Sequence, residues 1–446
     1  MFRKKSRQPQ QELWVPTSEI VMTPANTFLE QLNAALESLG FVETVHALCA
    51  PFYQMDPSKG GRPGIDPAVY FKMLLVGVFE GIASERGIAA RCADSLSIRK
   101  FLGYDLWEAT PDHSSLTVIR QRLEPEVYRA VFDMVLRGLK RHRLLKGRNI
   151  GIDASTMEAN ASMKSLEHRL TGEAYWEYVK GLAAAEGIDT KDADAVRRFD
   201  KKRPGRTTSN DDWKNPHDED AKIGKTKRGS IRMIHKPEHI IDLDTGAILD
   251  VDVRTGNEAD TAELAERLSE ADKRLKKALG IDEDDALSKT VTADKGYFKL
   301  SEIVALQARG LRTVISDPVS NRRPEKLDAK DRQVLRSARR AVTAAYGKAL
   351  LKRRGMYIER SFEHLLDCAG ARRTTLRGRA NIQKRYLVQA MGVNLSLLLR
   401  HLIGVGTLKQ MLAATEETIF VLITTLLALL GSIIDTDRIS RHRIAH

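Results

Sequence analysis

Two short apolar segments, each followed by an aspartate, constrain the fold of this 446-residue chain more than any other feature. Residues 150–152 read Ile-Gly-Ile and precede Asp153, and residues 290–293 read Thr-Val-Thr-Ala and precede Asp294. Their apolar and β-branched composition predicts strands. Open α/β sheets place their functional sites at the carboxyl ends of strands, so the two aspartates are candidates for one site.

The surrounding pattern predicts an α/β catalytic domain with helical parts on either side. Helical signals dominate up to residue 145, where Asp66, Ser84 and either Asp112 or Ser114 precede helices as caps. Hairpin signals and then alternating strands and helices follow, which indicate a mixed sheet. An insertion interrupts it, first helical from Ser162 to about residue 186 and then polar and basic. The predicted parts are a flexible N-terminus (1–22), a helical DNA-binding domain (23–145), the catalytic domain (146–402, insertion at about 160–228) and a C-terminal helical extension (403–446).

Charge and cysteine content narrow the class of partner and the compartment. Lys and Arg number 72 against 59 Asp and Glu, a formal net charge of +13, which favours binding to nucleic acid. Cys49, Cys92 and Cys368 form no C-x-x-C pair, which argues against a zinc ribbon and a disulfide framework. No apolar run follows the basic N-terminus, so a secretory signal is not expected. We expect a cytoplasmic, nucleoid-associated protein.

One long apolar run has alternative interpretations. Residues 419–434 read IFVLITTLLALLGSII and carry no charge. A membrane-spanning helix needs about 20 such residues. A buried C-terminal helix or an oligomer contact is therefore the favoured prediction, with a peripheral membrane contact as the weaker alternative, and we expect no membrane partner.

Paired carboxylates at strand ends suit a divalent cation. Two such groups on neighbouring strands repel each other unless a cation lies between them, and hard oxygen ligands favour Mg²⁺ or Mn²⁺. A third acid is expected from a helix that crosses the strand ends, where Glu359 and Glu363 lie four residues apart on one face. Spacing alone leaves the choice between them open. Two divalent ions in such a site promote in-line displacement at a phosphodiester.

Three blocks of sequence resemble the catalytic blocks of bacterial insertion-sequence transposases of the DDE superfamily, which have an RNase H-like fold. The blocks are Gly151-Ile152-Asp153-Ala154-Ser155, Thr292-Ala293-Asp294-Lys295-Gly296-Tyr297 and Tyr357-Ile358-Glu359-Arg360-Ser361-Phe362. The resemblance implies that Asp153, Asp294 and Glu359 are the catalytic, metal-binding triad, with Mg²⁺ or Mn²⁺ as cofactor. It also implies that residues 295–297 shape the exit of the second strand.

The resemblance extends over roughly residues 60–402 and departs from the family near the third acid. Some relatives carry Tyr, Arg, Glu and Lys at fixed intervals there, whereas this chain has Gly355 four residues before Glu359 and Leu366 seven residues after it. Glu363 is therefore kept as the reserve third acid. The implied function is Mg²⁺-dependent DNA cleavage at element ends and strand transfer into target DNA. The alternatives are a nuclease without strand transfer and a catalytically silent DNA-binding protein.

The implied partners are double-stranded DNA, as terminal inverted repeats and target DNA, and a second copy in a homodimer on DNA. Basic residues near the third block are the predicted phosphate contacts. They are Lys295, Arg353, Arg354, Arg360, Arg372, Arg373 and Arg377. A phosphate-binding P-loop is excluded because Glu219 replaces its first glycine. His235 and His239 are interpreted as strand residues near DNA and not as zinc ligands, because Pro237 separates them.

Overall fold

A computed structural model of the chain describes residues 24–53, 64–204, 209–226, 229–282, 287–319, 327–407, 409–411 and 413. The predicted N-terminal segment 1–22 and the apolar run 419–434 lie outside the described residues.

Helices account for the first third of the described chain, and side-chain caps set where several of them begin. The Asp66, Ser84 and Asp112 side chains each accept a hydrogen bond from a backbone N–H in the first turn of the helix that follows. Asp112, and not Ser114, is therefore the cap of its helix. The helices are α1 (Pro24–Ser38), α2 (Phe41–Cys49), α3 (Pro67–Phe79), α4 (Glu85–Asp94), α5 (Leu96–Leu102), α6 (His113–Arg122) and α7 (Pro125–Arg141).

Strands and further helices alternate after residue 148. The strands are β1 (Asn149–Ala154), β2 (Met157–Glu158), β3 (Glu167–His168), β4 (Trp213–Lys214), β5 (Lys222–Lys225), β6 (Ile231–Asp242), β7 (Ile248–Thr255), β8 (Thr290–Ala293) and β9 (Arg312–Ile315). The helices are α8 (Tyr175–Ala185), α9 (Ala193–Lys202), α10 (Leu264–Leu279), α11 (Leu300–Ala308), α12 (Ala329–Thr343), α13 (Ala345–Phe362) and α14 (Arg379–Ile403). A π-helical turn, Glu363–Cys368, follows α13 directly.

The main sheet is mixed, as predicted, and β1 lies at its centre. Strand β6 pairs with β1 antiparallel on one side, and β8 pairs with β1 in parallel on the other. Strand β9 extends the sheet in parallel beyond β8, and β7 pairs antiparallel with the far side of β6. The short strands β2 and β5 pair with the first half of β6. Helix α10 precedes β8, and α11 connects β8 to β9. Parallel strands need such crossover connections, because a tight turn reverses the chain and produces an antiparallel pair.

The insertion folds around a small core of its own. Tyr175, Val179 and Trp213 are buried there, and β3 pairs with β4 beside them. The prediction of one helix from Ser162 to about residue 186 is wrong at its start: Ser162 caps only a short 3-10 turn, Met163–Ser165. Gly172 then turns the chain with a φ of 70° before α8 begins. Helix α9 lies in the part that was expected to be polar and basic without regular structure.

One apolar core joins the N-terminal helices to the main sheet. It includes Phe28 of α1, Ile152 of β1, Val291 of β8 and Leu399 of α14. Helix α14 packs against both α7 and β7. Among the described helices α14 is long and apolar enough to cross a membrane by composition, but 61% of its most apolar window is buried inside this core. The predicted boundary at residue 145 therefore separates two kinds of secondary structure that share one core, and the domain division stays a prediction.

Two amide side chains of α14 form hydrogen bonds with backbone groups on the outer edge of β7. The Asn394 amide accepts from the Ile248 N–H and donates to the Ile248 carbonyl, both at 2.9 Å. The Gln383 amide accepts from the Val253 N–H at 2.7 Å and donates to the Val251 carbonyl at 2.9 Å. An edge strand exposes unpaired backbone groups that must find partners when a helix covers them. The amides therefore fix α14 along the sheet.

We expect Asn394→Leu to lower the free energy of unfolding by about 2–4 kcal/mol, because the Ile248 N–H and carbonyl lose their partners in a buried place. Chemical denaturation followed by circular dichroism measures it. The matched control is Asn381→Leu on the same helix, whose amide makes an exposed bond to the Arg377 carbonyl; its effect should stay within about 0.5 kcal/mol. Equal effects of the two variants would contradict the edge assignment.

Candidate functional site

Asp153 and Asp294 lie side by side at the carboxyl ends of β1 and β8. Ile152 lies opposite Ala293 in the parallel pairing of β1 with β8, so the next residue of each strand is an aspartate. Neighbouring strands lie about 4.8 Å apart, and residues in register point to the same face. The structure therefore brings these two predicted site residues together at the carboxyl end of the sheet's central strands.

Each aspartate also shapes the chain that follows it. The Asp153 carboxylate accepts a hydrogen bond from the Ala154 N–H at 2.9 Å. Asp294 accepts from the Lys295 N–H and caps a 3-10 turn, Lys295–Tyr297. Residues 295–297 thus form the exit of β8, in agreement with the expectation from the sequence.

Helix α13 covers the face of the sheet that carries Asp153. Ile358 lies over Gly151, where an added Cβ would be 3.2 Å from the Ile358 side chain. Gly151 and Asp153 are two residues apart on a strand and so share this face. The absence of a side chain at Gly151 therefore lets α13 approach β1 closely, directly beside the aspartates.

An arginine of α13 is paired with the first aspartate. The Arg354 guanidinium donates to Asp153 Oδ2 at 2.6 Å, and the two side chains are 15% and 26% exposed. A guanidinium compensates the negative charge of a carboxylate that is partly withdrawn from water. Arg354 was predicted as a phosphate contact, and the structure instead places it against Asp153.

Glu359 lies on the side of α13 away from the turn between β6 and β7. Tyr357 contacts Gly246 in the turn between β6 and β7, and Ile358 faces Gly151. Successive helical residues are rotated by about 100°, so Glu359 points to the side opposite Tyr357, away from that turn. Its side chain is exposed. Glu363 is exposed too, but it begins the π-helical turn, one turn beyond Ile358.

The three acids are of the type that binds a divalent cation, but the structure does not gather them around a common point. Within the described part of the chain, no group of three or more His, Cys, Asp or Glu side chains is close enough to hold a metal ion. Asp153 and Asp294 supply two adjacent hard oxygen donors, and Glu359 lies on α13, which covers the face of the sheet that carries Asp153. A cation between them would require Arg354 to release Asp153.

A buried histidine connects α13 to β6 beside Asp153. His239 lies opposite Asp153 in the pairing of β1 with β6 and has no exposed surface. Its Nδ1 is 2.8 Å from the Ser361 hydroxyl, and its Nε2 is 2.5 Å from the Tyr386 hydroxyl. The ring also stacks on Phe362, with centroids 4.0 Å apart. His239 therefore links β6 to both α13 and α14.

The hydrogen bonds around His239 define its protonation state. The Ser361 hydroxyl donates to the Ile358 carbonyl at 2.8 Å, so it accepts from Nδ1–H of the imidazole. Nε2 then accepts from Tyr386. Burial lowers the pKa of His239 to about 3, which keeps the ring neutral. His239 is a strand residue, as predicted, and its hydrogen-bond partners lie inside the protein.

A second buried network ties the exit of β8 to β6. The Tyr297 hydroxyl donates to Glu238 Oε1 at 3.1 Å, and Arg254 and Arg267 reach the same oxygen at 3.0 and 3.3 Å. Burial raises the pKa of Glu238, and the Arg267 and Arg254 guanidinium groups oppose that rise. Sequence reasoning missed this role of Glu238. The available signal was a carboxylate inside a predicted strand, which requires a cation or donor nearby when the strand is buried.

His235 is buried as well, and its partner is Asp218. The imidazole Nε2 is 3.2 Å from Asp218 Oδ2, and neither side chain is exposed. The histidine pair His235 and His239 therefore consists of strand residues with separate buried partners, and zinc ligation by the pair finds no support in the described residues.

The other predicted phosphate contacts differ in whether their side chains pair with a carboxylate. Arg353 pairs with Asp244 at 3.0 Å, and Arg372 pairs with Asp367 at 2.6 Å. Lys295, Arg360, Arg373 and Arg377 are exposed, and Arg373 lies 4.0 Å from a carboxylate oxygen of Glu158. Arg353 and Arg372 are closely paired with carboxylates, so Lys295, Arg360 and Arg377 are better placed to meet a phosphate.

A basic loop, residues 371–379, lies next to the strand that follows Asp153. The Glu158 N–H donates to the Arg372 carbonyl and the Thr374 N–H donates to the Glu158 carbonyl, both at 2.9 Å. The Asn160 amide donates to the Thr375 carbonyl at 2.9 Å. These bonds hold the loop against β2, which begins four residues after Asp153. Exposed arginines of the loop therefore lie on the same edge of the sheet as the carboxylates.

Comparison with known families assigns most of the chain. A family model described as a transposase domain (DUF772) matches residues 19–122, and a model described as a transposase DDE domain matches residues 193–395. Asp294 and Glu359 lie inside the second match, whereas Asp153 lies between the two. No curated protein and no solved structure matched the chain. The two matches together cover about two thirds of the sequence, and the chain belongs to the insertion-sequence transposases of the DDE class.

Proposed function

We propose that this transposase cleaves DNA at the ends of its element and joins the released 3′-hydroxyl to target DNA in a Mg²⁺-dependent reaction. One observation carries the proposal: Asp153 and Asp294 leave adjacent parallel strands in register, at the same end and on the same face of the sheet. Paired carboxylates in that position are suited to holding divalent cations against a phosphodiester.

The catalytic domain is proposed to be RNase H-like. Its central strands follow the order β7-β6-β1-β8-β9, in which β6 alone runs antiparallel to the other strands of that series. That order and those directions support the fold that the sequence resemblance implies. In this sheet β1 lies beside β8, although the two strands are far apart along the chain. Their pairing brings together two aspartates that are 141 residues apart.

The protein side chains position the reacting groups. Asp153, Asp294 and Glu359 would hold Mg²⁺, or Mn²⁺ in its place, through carboxylate oxygens. When bound, the ions stabilise the charge that develops on the attacking and leaving oxygens. The hydrogen bond between His239 and Ser361 holds α13, the helix that carries Glu359, against β6. Arg354 compensates the charge of Asp153 until a cation takes its place.

The DNA is proposed to lie along the basic loop and the exposed flank of α13. Arg373 and Arg377 are exposed in that loop, and Arg360 and Lys295 are exposed nearer the carboxylates. Such contacts give affinity without reading sequence. Because the reaction joins two element ends, we propose a homodimer on DNA, working in the cytoplasm on terminal inverted repeats and chromosomal target DNA.

Strand transfer is tested with a duplex that contains the DNA flanking the gene, labelled at the 3′-hydroxyl of the element end. With Mg²⁺ and a supercoiled target plasmid, we expect the label to become covalently attached to plasmid DNA. Cleavage of the duplex without attachment would replace the transposase proposal with a nuclease that never joins strands. Omission of Mg²⁺ is the control and should abolish both products.

The Arg354–Asp153 ion pair is the observation that favours a catalytically silent, DNA-binding protein instead. A silent protein would bind the duplex, show no Mg²⁺-dependent cleavage, and remain silent when Arg354 is replaced by Met. An active enzyme cleaves with Arg354 in place, because a divalent cation interacts with a carboxylate pair more strongly than a single guanidinium does.

A further inference from the structure

A groove of about 420 Å³ lies between α3, α13 and α14. We call it the α3–α14 groove. Its apolar walls are Phe79 of α3, Tyr357 of α13, and Val393 and Leu397 of α14. These side chains are partly exposed although each packs on the main core. An apolar cleft of this size normally has an occupant.

The described chain turns back toward this groove after α14. Gly404 ends the helix with a φ of 76°, a conformation that favours glycine and reverses the chain direction. The Ser396 hydroxyl then donates to the Gly406 carbonyl, so the backbone returns along the helix it has just left. A Cβ on Gly406 would be 2.5 Å from the Ser396 carbonyl oxygen, which shows how closely the two segments pass.

The described residues end at the rim of the groove. Thr407, Lys409 and Gln410 are part of its lining. The apolar run 419–434 begins eight residues after Met411, and eight residues span at most about 28 Å. The run is therefore within reach of the whole groove.

Charge complementarity points to the same segment. Arg360, Arg400 and Lys409 line the groove beside its apolar walls. Glu416 and Glu417 precede the apolar run and are separated from it by Thr418, and Asp435 and Asp437 follow it within three residues. Acidic residues at both ends of an apolar segment match an apolar groove with a basic rim.

We propose that the segment 416–437 of the same chain docks in the α3–α14 groove and contacts α13. The groove wall includes Tyr357 and Ser361, which lie two residues before and two residues after Glu359. Docking would therefore support the helix that carries the third acid at the side where it meets the turn between β6 and β7. It would also remove the apolar side chains of the run from water.

Cys368 provides a native reporter, because it lines the groove and is exposed. Cys49 and Cys92 are buried, and burial raises the pKa of each thiol to about 12, so both react slowly. The rate of Cys368 modification by a thiol-specific reagent is measured for the full chain and for a chain ending at residue 413. Docking predicts a rate at least about tenfold higher in the shortened chain. Equal rates would overturn the proposal.

A full-length variant gives the same test without truncation, so misfolding of a shortened chain cannot account for its result. Leu426→Asp places a charge in the middle of the apolar run and should speed Cys368 modification in the same way. Leu170→Asp is the matched control, since Leu170 is 91% exposed in the insertion and lies outside the groove; it should leave the rate unchanged. In Cys368→Ala the modification should disappear, which identifies Cys368 as the thiol that the reagent modifies.

Disulfide formation distinguishes the possible occupants. Leu422→Cys, Leu426→Cys and Leu430→Cys are oxidised in the full chain, and a bond to Cys368 within one chain supports the proposal. A bond between two chains would overturn it in favour of exchange between copies. If none of the three forms a bond while all three are protected by added lipid vesicles, the segment belongs on a membrane surface and the proposal fails.

Discussion

Replacing Asp153 or Asp294 by asparagine is expected to abolish Mg²⁺-dependent cleavage while DNA binding persists. Asparagine keeps the size of the side chain but removes the charge and one anionic oxygen, so the pair holds a divalent cation poorly. We expect cleavage to fall by at least about 10³-fold, because the ions supply most of the transition-state stabilisation in this chemistry. The measurement is single-turnover cleavage of a labelled duplex, with affinity for the same duplex followed in the absence of Mg²⁺.

Asp244→Asn is the matched control for this pair. Asp244 is also an aspartate at the edge of the main sheet, but it lies in the turn between β6 and β7 and pairs with Arg353 and Asn149. Asn149 begins β1, so Asp244 lies at the end of the sheet opposite Asp153. Its replacement should leave cleavage within about tenfold of the unmodified chain. Full cleavage by the Asp153 or Asp294 variant would remove the basis of the assignment.

The second large effect separates Glu359 from Glu363. Glu359→Gln is expected to reduce cleavage by at least about 10³-fold, as for the aspartates, because Glu359 stands at the position of the third metal-binding acid in the third sequence block. Glu363→Gln is expected to reduce it by less than about tenfold, because Glu363 lies in the π-helical turn beyond the contact with Gly151.

The two glutamine variants serve as controls for each other, since both residues are exposed and both changes remove one charge from the same helical segment. Thermal unfolding of the two should therefore be alike. The reverse order of activities would assign the third acid to Glu363 and leave the aspartate pair unaffected.

Local sequence patterns predicted the parts of the site that depend on short-range structure. Ile150 to Asp153 and Thr290 to Asp294 are strands because apolar and β-branched residues alternate there, and strand ends are where such sheets place their sites. The caps at Asp66, Ser84 and Asp112 follow from the same local chemistry. The mixed sheet followed from the order of these elements along the chain.

Partners that are distant in sequence could not be predicted in this way. The pairing of Arg354 with Asp153 joins residues 201 positions apart, and His239 reaches Ser361 over 122 positions. No periodicity or spacing encodes such contacts, because they arise only when α13 packs across β1. The sequence predicts Arg354 as a phosphate contact and His239 as a strand residue near DNA, but it does not predict that Arg354 pairs with Asp153 or that His239 is buried.

The insertion contains a helix, α9, that the sequence composition did not predict. Its polar composition concealed α9, whose Val196 is buried while exposed charged side chains surround it. A helix that buries a single narrow stripe is hard to distinguish from a solvated loop by composition alone.

The central claim is that three acids distant along the chain meet at one divalent cation, and iron-mediated backbone cleavage tests it most directly. Fe²⁺ with ascorbate and peroxide cuts a polypeptide near the bound ion, and Mg²⁺ in excess should compete for the same place. The account predicts cuts near residues 153, 294 and 359 together, all suppressed by Mg²⁺ and all lost in Asp153→Asn. Cuts near one of these residues without the other two, or cuts that Mg²⁺ leaves unchanged, would contradict it.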